Sequence, residues 1–232
     1  MHSLFSSPTL LSKARQFRIS LVQRGIATTL YWAAFGYLRP NRFILLARDL
    51  SAGAIRCIPG DAVRLALWTA PMLRHWRKPR QGLSTEFFQD DIDGVDTCAV
   101  ASIRGEMAGL IWIYHHAHAS RLFRLCEREA ELNYGYMLSP FRGMGLFRDV
   151  LGFACVRLQE QGYQTVYAGV HAENAPSLRA FHHAGFRDIG SIRHFLIFRP
   201  RVQGNRLWRS LPSGDEVVSP TLRPRSQRRP SV

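Results

Sequence analysis

The feature that most constrains the fold is a change of hydrophobic period along residues 131–161. Over Glu131–Leu138, apolar or aromatic residues alternate with residues of other types, which predicts a strand with two distinct faces. From Leu146 to Gln161 the apolar residues recur at helical spacing, and Gly162 marks the end of that helix. A strand followed, after a short loop, by a helix is typical of an α/β protein, in which helices pack on a sheet.

The same two periods predict the other elements of an α/β domain. The polar segment Arg74–Asp96 is predicted to be an irregular, solvated loop, with a site for a cationic acceptor as the second interpretation of its aspartates. Asp61 is predicted to cap the helix that follows it. Strands are predicted at Phe43–Leu50, Ala54–Ile58, Thr97–Ile103, Met107–Tyr114, Gln164–Val170 and Ile192–Phe198, and helices at 10–24, Ile26–Leu38, Ala62–Leu73 and Ala175–His183.

The formal net charge of +14 belongs to the two ends of the chain. Residues 1–48 hold seven basic residues and no acidic one, whereas residues 199–232 hold eight arginines against two acidic residues. We therefore predict a basic N-terminal helical extension at 1–50, a folded domain at 51–199 and an Arg/Pro/Ser-rich disordered tail at 200–232. Nucleic acid is an unlikely partner on this basis, because no recognised nucleic-acid-binding module accompanies the arginines.

The N-terminal segment combines a basic amphipathic helix with a mostly apolar one. Such a pair can lie at the surface of an anionic membrane, and the alternative is a helical extension packed on the domain. Residues 1–25 also have the Arg- and Ser-rich, acid-free composition of a mitochondrial presequence. The apolar run Ile26–Leu38 is shorter than the ~20 residues that span a bilayer. We expect a cytoplasmic protein, or one held at the inner membrane surface.

No metal site is predicted. The four cysteines stand alone, without a Cys-x-x-Cys pair, and fit a reducing compartment. His115, His116 and His118 form a cluster, but no second group of ligands at zinc spacing accompanies them. A solvated loop is the favoured interpretation of these histidines.

The loop Arg142–Phe147 has a composition suited to phosphate. The start of a helix leaves four backbone N–H groups without intrahelical partners, and the helix dipole makes that end positive. Gly143 and Gly145 would let a pyrophosphate approach the backbone with no Cβ in the way. Arg142 can offer a charged fork to the phosphate oxygens. Taken alone, the loop is equally well explained as a tight connection between a strand and a helix.

A second motif follows one strand and one helix downstream. Asn174 is followed by the aromatic Phe181 seven residues later and by Gly185 and Phe186 at eleven and twelve. With the glycine loop, this order resembles the GNAT N-acetyltransferase superfamily over about residues 54–198. Two departures stand out: Phe147 occupies the loop's last small position, and Phe181 occupies the place of the tyrosine with which some members protonate the leaving thiolate.

The resemblance implies a mixed central β-sheet with flanking helices, in which the strands 131–138 and 164–170 splay apart and acetyl-CoA lies between them. Backbone groups of Met137 and Leu138 would pair with the pantetheine amides. The glycine loop would hold the pyrophosphate, and Asn174 would orient the cofactor from the other side. The predicted cofactor-binding residues are Met137, Leu138, Arg142, Gly143, Met144, Gly145, Leu146, Phe147 and Asn174.

Acyl transfer to an amine requires a neutral amine. A primary amine resembling a lysine side chain has a pKa of about 10.4, so a base or a water relay is needed. Glu131 is the first candidate and His171 the second, while a backbone N–H near Leu138 would polarise the thioester carbonyl. No Ser-His-Asp or Cys-His arrangement suggests a covalent intermediate, so direct attack in a ternary complex is expected.

The acceptor is predicted to be a small-molecule or peptide amine, and nothing motif-like identifies it further. Two alternatives share the same fold. An acyl-carrier-protein donor would match the basic ends of the chain, because carrier proteins are acidic. A non-catalytic acyl-CoA sensor would match Phe181, because a sensor needs neither a proton donor nor a general base.

Overall fold

The computed structural model describes residues 10–30, 41–51, 60, 62–118, 120, 122–195 and 198–204. The predicted strand Ala54–Ile58, the capping residue Asp61, and the predicted helix beyond residue 30 lie outside the described residues. So does the tail from residue 205 onward.

The described residues form eight strands and six α-helices, joined by short 3-10 turns at Thr85–Phe88 and Ser139–Phe141. The strands are β1 (Asn41–Asp49), β2 (Val63–Thr69), β3 (Thr97–Ile103), β4 (Glu106–Tyr114), β5 (Glu129–Met137), β6 (Thr165–His171), β7 (Arg187–Phe195) and β8 (Phe198–Gly204). The helices are α1 (Leu10–Arg24), α2 (described over 26–30), α3 (Ala70–Arg77), α4 (Gln89–Ile92), α5 (Leu146–Glu160) and α6 (Ala175–His183).

All eight strands belong to one mixed sheet with the order β2-β3-β4-β5-β6-β1-β7-β8. Every neighbouring pair is antiparallel except β5 and β6, which run parallel. Their pairing covers only three residues on each strand, from Glu129 opposite Thr165 to Glu131 opposite Tyr167. Beyond that point β5 remains paired only with β4, and β6 remains paired only with β1. The predicted mixed sheet with splayed central strands is therefore confirmed, and we call the opening between β5 and β6 the V.

Two strands come from segments that the sequence assigned to the ends of the chain. β1, from the predicted N-terminal extension, lies between β6 and β7 and pairs with β6 from Phe43 opposite His171 to Asp49 opposite Thr165. Residues 200–204, predicted to be disordered, belong to β8. The single predicted strand Ile192–Phe198 is likewise replaced by β7 and β8.

The helix predicted over Ala62–Leu73 is wrong. Residues 63–69 form β2, along which half-buried and exposed positions alternate for most of the strand. Such alternation is the period of a strand and not of a helix. The helix begins only at Ala70, where Pro71 occupies its first turn.

The segment Arg74–Asp96 is not a solvated loop. It contains the end of α3, the turn at Thr85–Phe88 and α4, and its polar centre is buried. Arg77 Nη1 donates to Asp90 Oδ1 at 2.6 Å, and Arg74 Nε donates to Asp90 Oδ2 at 2.7 Å. The aspartates thus hold α3 against α4, and they do not form a free site for a cationic acceptor.

Two apolar layers cover the two faces of the sheet. One lies under α5 and α6 and includes Leu132, Val150, Leu158, Val166 and Phe181. The other lies under α3, α4 and the turn between them and includes Leu73, Phe87, Ile92, Leu110 and Trp112. Because successive side chains of a strand point to opposite faces of the sheet, β5 carries residues into both layers along the V.

Candidate functional site

The V is opened by an irregularity in β5. Trp112 of β4 lies opposite Asn133, but Leu110 lies opposite Tyr136, so β5 holds one extra residue over this stretch. Within this bulge Tyr134 has a φ of +51°, a left-handed conformation that is uncommon for a residue other than glycine. Bulges bend a strand and often occur beside active sites. This bulge lies just beyond the last parallel pair, where β5 separates from β6.

The glycine loop follows β5 after the 3-10 turn Ser139–Phe141. Gly143 and Gly145 have φ values of +80° and +77°, a conformation that favours glycine. A Cβ atom added to Gly143 would meet nothing within 4 Å, and one added to Gly145 would meet only the end of the Arg148 side chain at 4.0 Å. Gly145 is also the N-cap of α5, and no side chain caps the helix there. The start of α5 therefore has neither a capping side chain nor a neighbour within 4 Å of a Cβ at Gly143. The predicted role of this loop in phosphate binding stays a prediction.

The start of α6 is arranged differently. Asn174 accepts a hydrogen bond from the Ser177 N–H at 3.2 Å through its side-chain oxygen, and Pro176 lies in the first turn. Asn174 is therefore the N-cap of α6, in agreement with the sequence. Its further role in orienting a cofactor stays a prediction.

The predicted pantetheine-binding groups at the end of β5 are already bonded to the protein. The Leu138 N–H donates to the Ala108 carbonyl at 2.8 Å, and the Met137 carbonyl accepts from Arg142 Nε at 2.9 Å. A carbonyl oxygen has a second lone pair, but an N–H group has one hydrogen. The Leu138 N–H is thus not available to polarise a thioester carbonyl.

Arg142 is fixed beside the V by β5. Besides its bond to Met137, its guanidinium lies 5.2 Å from the centre of the Tyr136 ring. Arg148, on the first turn of α5, is exposed and forms an ion pair with Asp149 at 3.2 Å. Two guanidinium groups therefore flank the glycine loop, and both remain at the surface where a phosphate could meet them.

Glu131 lies at the closed end of the V. Its side chain is 0% exposed, and Oε1 accepts a hydrogen bond from Asn133 Nδ2 at 2.9 Å. Register places Tyr114 of β4 and Tyr167 of β6 directly beside it, on the same face of the sheet. The sequence did not single out these tyrosines, because only the register of three strands brings them to Glu131.

Both flanking tyrosines hydrogen-bond to carboxylates. The Tyr114 hydroxyl donates to Asp93 at 3.0 Å, and the Tyr167 hydroxyl donates to Glu129 at 3.1 Å. Burial is the main cause that raises the pKa of each phenol, and the carboxylates nearby raise it further. The two phenols therefore stay protonated at neutral pH and remain hydrogen-bond donors.

His171 does not meet Glu131. It lies four residues beyond Tyr167 on β6, a rise of about 13 Å at 3.3 Å per residue. Its Nδ1 accepts the Glu173 N–H at 3.3 Å, so in the neutral ring the proton lies on Nε2, which is 3.1 Å from Asn41 Oδ1. The two predicted catalytic residues are therefore separate groups, one at the closed end of the V and one near its mouth.

The two departures from the family motif pack together. The rings of Phe147 and Phe181 meet edge to face with centroids 5.9 Å apart, and Phe181 meets Phe186 at 5.0 Å. A Cβ atom on Gly135, in the bulge, would lie only 2.5 Å from the Phe147 ring. This aromatic cluster closes the helix side of the V next to the bulge. Sequence reasoning named Phe147 and Phe181 separately and missed their contact.

The loop that carries His115, His116 and His118 is held by a contact within the loop and by one contact to Tyr163. Tyr163 Oη lies 2.7 Å from His115 Nδ1, and the His115 N–H donates to His118 Nδ1 at 3.0 Å. Burial is the main cause that lowers the pKa of both histidines. Within the described ranges no three His, Cys, Asp or Glu side chains form a group that could hold a metal ion.

Residues 63–186 match the family model described as "Acetyltransferase (GNAT) family". A search of curated proteins found no match. Among solved structures, the chain is similar to an acetyltransferase from the GNAT family from Colwellia psychrerythraea, with 13% identity, a TM-score of 0.45, and coverage of 75% of this chain and 69% of that one.

Two further solved structures are similar at the same level. A GNAT-family protein from Novosphingobium aromaticivorans shares 14% identity with a TM-score of 0.46, over 67% of this chain and 63% of that one. A GCN5-related N-acetyltransferase from Sphaerobacter thermophilus shares 12% identity with a TM-score of 0.49, over 73% of this chain and 56% of that one. The match therefore spans less than two thirds of the length of these two proteins.

Proposed function

The chain belongs to the GNAT acetyltransferase family, and from that premise we propose that it transfers an acetyl or other short acyl group from acyl-CoA to a primary amine. The choice of acyl-CoA as the donor rests on one observation. Helix α5 begins at the open end of the V with a glycine N-cap in the left-handed conformation and without a capping side chain. Unpaired N–H groups at a helix start bind phosphate well, and CoA carries a pyrophosphate.

The residues around this helix start fit that group. Gly143 and Gly145 leave the space beside the backbone empty, and side chains there would fill it. Arg142 and Arg148 add two exposed positive charges beside the loop, and a guanidinium pairs with two phosphate oxygens at once. The N–H groups over Gly145–Phe147 would hold the pyrophosphate, and the V would receive the pantetheine arm.

The reaction forms one bond and breaks another. The amine nitrogen attacks the thioester carbonyl carbon, the C–S bond breaks, the amine gives up a proton and the thiolate takes one. Free thiols have a pKa near 8.5, so water can protonate the thiolate close to neutral pH without an acidic side chain. This is compatible with Phe181 where a tyrosine would otherwise stand.

Glu131 is our candidate for the proton acceptor. Because its side chain is completely buried at the closed end of the V, an incoming amine would reach it through water and not by direct contact. The hydrogen bond from Asn133 fixes the direction of the Glu131 carboxyl group. His171 is the weaker candidate, because both of its ring nitrogens already face a partner.

The proposal is tested by following acetyl-CoA consumption by purified protein with a panel of small-molecule and peptide amines. We expect product with at least one amine, identified by mass. An acyl-carrier-protein donor that works where acetyl-CoA fails would favour the carrier alternative. Tight binding of acetyl-CoA with no turnover of any amine would favour the sensor and reject the enzyme.

Glu131→Gln tests the assigned base. Glutamine keeps the shape and can still accept the hydrogen bond from Asn133, but it cannot take up a proton. We expect a loss of about a hundredfold in maximal rate, within the range typical of general-base catalysis, with CoA affinity unchanged. Glu129→Gln, two residues earlier on the same face of β5, is the matched control and should keep most of the rate.

A further inference from the structure

Exposed apolar side chains are concentrated in one place. Among the described residues, seven large hydrophobic side chains are exposed, and five of them lie between residues 17 and 30. Single exposed apolar residues are normal on any protein, but a cluster of them marks an interaction surface. We call these five the apolar face: Phe17, Leu21, Val22, Ile26 and Leu30, of which Val22 is 74% and Ile26 66% exposed.

Helix α1 is docked on the domain through contacts that leave the apolar face exposed. Ile19 packs against the apolar layer under α3 and α4. On the same side, the Gln23 side-chain oxygen accepts the Leu83 N–H at 3.3 Å. At 100° per residue, Phe17 and Leu21 lie roughly opposite these docking residues. Val22 lies about 60° from Ile19 and lines a groove with it, yet its side chain is 74% exposed. The docking contacts therefore leave all three of these large apolar side chains of α1 in solvent.

A buried polar contact joins α1 to α2. The hydroxyls of Ser20 and Thr29 hydrogen-bond at 3.0 Å, and Thr29 also donates to the Gly25 carbonyl at 2.8 Å. Both side chains are buried while the large apolar neighbours are exposed. A surface helix in water shows the opposite arrangement, with its apolar stripe inward. This contact holds α2 against α1, so the exposed apolar side chains of the two helices keep one arrangement.

The surroundings of the apolar face are positive. Residues 10–30 contain four basic residues and no acidic one. Next to α1, a cavity of about 480 Å³ opens toward the end of α3 and is lined by Gln23, Arg74, His75, Lys78 and Arg80, with Asp91 as its one acidic lining residue. Arg15 and Arg18 are exposed on α1 itself. The charge of this surface complements a negatively charged partner.

We propose that α1, α2 and the basic end of α3 form a docking surface for an anionic lipid membrane. The apolar face enters the interfacial region, while Arg15, Arg18, Lys78 and Arg80 contact lipid phosphates. Apolar side chains next to basic ones are typical of peripheral amphipathic helices, and each basic residue adds attraction to anionic lipid. A nucleic acid would use the charges but would leave five large apolar side chains in water.

No helix among the described residues is long and apolar enough to cross a membrane.

The test is sedimentation of the full-length protein with vesicles, independent of any acyl transfer. We expect binding to vesicles of phosphatidylglycerol and phosphatidylcholine in equal amounts, little binding to pure phosphatidylcholine, and weakening with added salt. The double variant Val22→Ser/Ile26→Ser removes two apolar side chains and keeps every charge. Its partition onto the mixed vesicles should fall by about tenfold or more, because each apolar side chain that moves from water into the membrane interface contributes to the free energy of binding.

The matched control is Ala14→Ser/Ala27→Ser, which adds the same hydroxyls to exposed positions of the same helices without removing a large side chain. Its partition should stay within about twofold of the unmodified protein. A second pair of variants reverses one charge each. Arg18→Glu should weaken binding to the anionic vesicles, whereas Arg104→Glu, in the exposed turn between β3 and β4, should not.

Absence of sedimentation with the anionic vesicles would overturn the proposal. So would unchanged sedimentation of Val22→Ser/Ile26→Ser, because the remaining arginines alone would then account for binding. Thermal melting confirms that the variants are folded, and if the double variant is not, Leu30→Ser serves in its place with the same criterion.

Discussion

Two helices begin beside the V, and their starts are built in opposite ways. Helix α6 begins at Asn174, whose side chain accepts the Ser177 N–H and so satisfies the helix start from within. Helix α5 begins at Gly145, which offers no side chain and whose surroundings are open. Every helix start needs partners for its first N–H groups. We infer from this difference that α6 serves as a structural support, and our proposal is that an anionic ligand completes the start of α5.

The first and largest expected effect tests α6 as a support. Phe181 is buried and packs against Phe147 and Phe186. Phe181→Ala should lower the free energy of unfolding by about 3–5 kcal/mol, as truncation of a buried phenylalanine usually does. Phe181→Tyr should leave the maximal rate within about threefold, since no side-chain acid is needed to protonate a thiolate near neutral pH. Denaturant unfolding and steady-state rates measure the two effects.

A different outcome would change the role of α6. A Phe181→Tyr protein with a hundredfold higher rate would mean that protonation of the thiolate limits the reaction. A hundredfold rate loss in folded His182→Ala or His183→Ala protein would assign the proton donor to the same helix. Both histidines are exposed, and His182 contacts Asp188 at 2.8 Å, which favours a surface role.

The second prediction compares Gly145→Asp with Gly145→Asn. Both residues tolerate the left-handed conformation better than other side chains do, and they have nearly the same shape. The aspartate places a negative charge where we expect the pyrophosphate, a repulsion of about 1–4 kcal/mol at contact distances near a protein surface. Calorimetry should show CoA affinity reduced about a hundredfold by Asp and about tenfold by Asn.

Gly162→Asn is the control for backbone strain. Gly162 lies at the other end of α5 with a φ of +85°, and a Cβ atom there would also meet nothing within 4 Å. The variant should leave CoA affinity unchanged. Equal affinities of the Gly145→Asp and Gly145→Asn proteins would remove the negative ligand from the start of α5.

The smallest effect concerns the cap of α6. Asn174→Ala should lower the free energy of unfolding by about 1 kcal/mol, the usual result of removing an N-cap. CoA affinity should stay within about threefold if capping is the whole role of this side chain. Asn174→Asp, which caps equally well, should restore stability. A loss of CoA affinity without a loss of stability would instead support the sequence-based role in orienting the cofactor.

The two helix starts beside the V, which local sequence determines, were predicted correctly. Glycines at 143 and 145 and the asparagine at 174 mark backbone conformations that few other residues favour, so both helix starts follow from a few neighbouring letters. The strands β5 and β6 follow from alternation. The error at 62–73 has the same origin, because Asp61 resembled a helix cap and outweighed the alternation that forms β2.

What the sequence could not supply is register. The position of β1 between β6 and β7, the two tyrosines beside Glu131 and the distance between Glu131 and His171 all depend on which strands pair and how. The Phe147–Phe181 contact depends on how α5 and α6 lie relative to the bulge. Such contacts join residues far apart in the chain, and no local pattern encodes them.

The most direct test of the account compares two ligands on two proteins. S-acetylpantetheine carries the thioester and the arm of acetyl-CoA but lacks the pyrophosphate and the nucleoside. On the unmodified protein, calorimetry should show that it binds at least a hundredfold more weakly than acetyl-CoA, a difference of about 2.7 kcal/mol. On Gly145→Asp protein that difference should shrink by at least about tenfold, because only the phosphate-bearing ligand meets the new charge. The same ratio of affinities on both proteins would contradict the placement of the pyrophosphate at the start of α5.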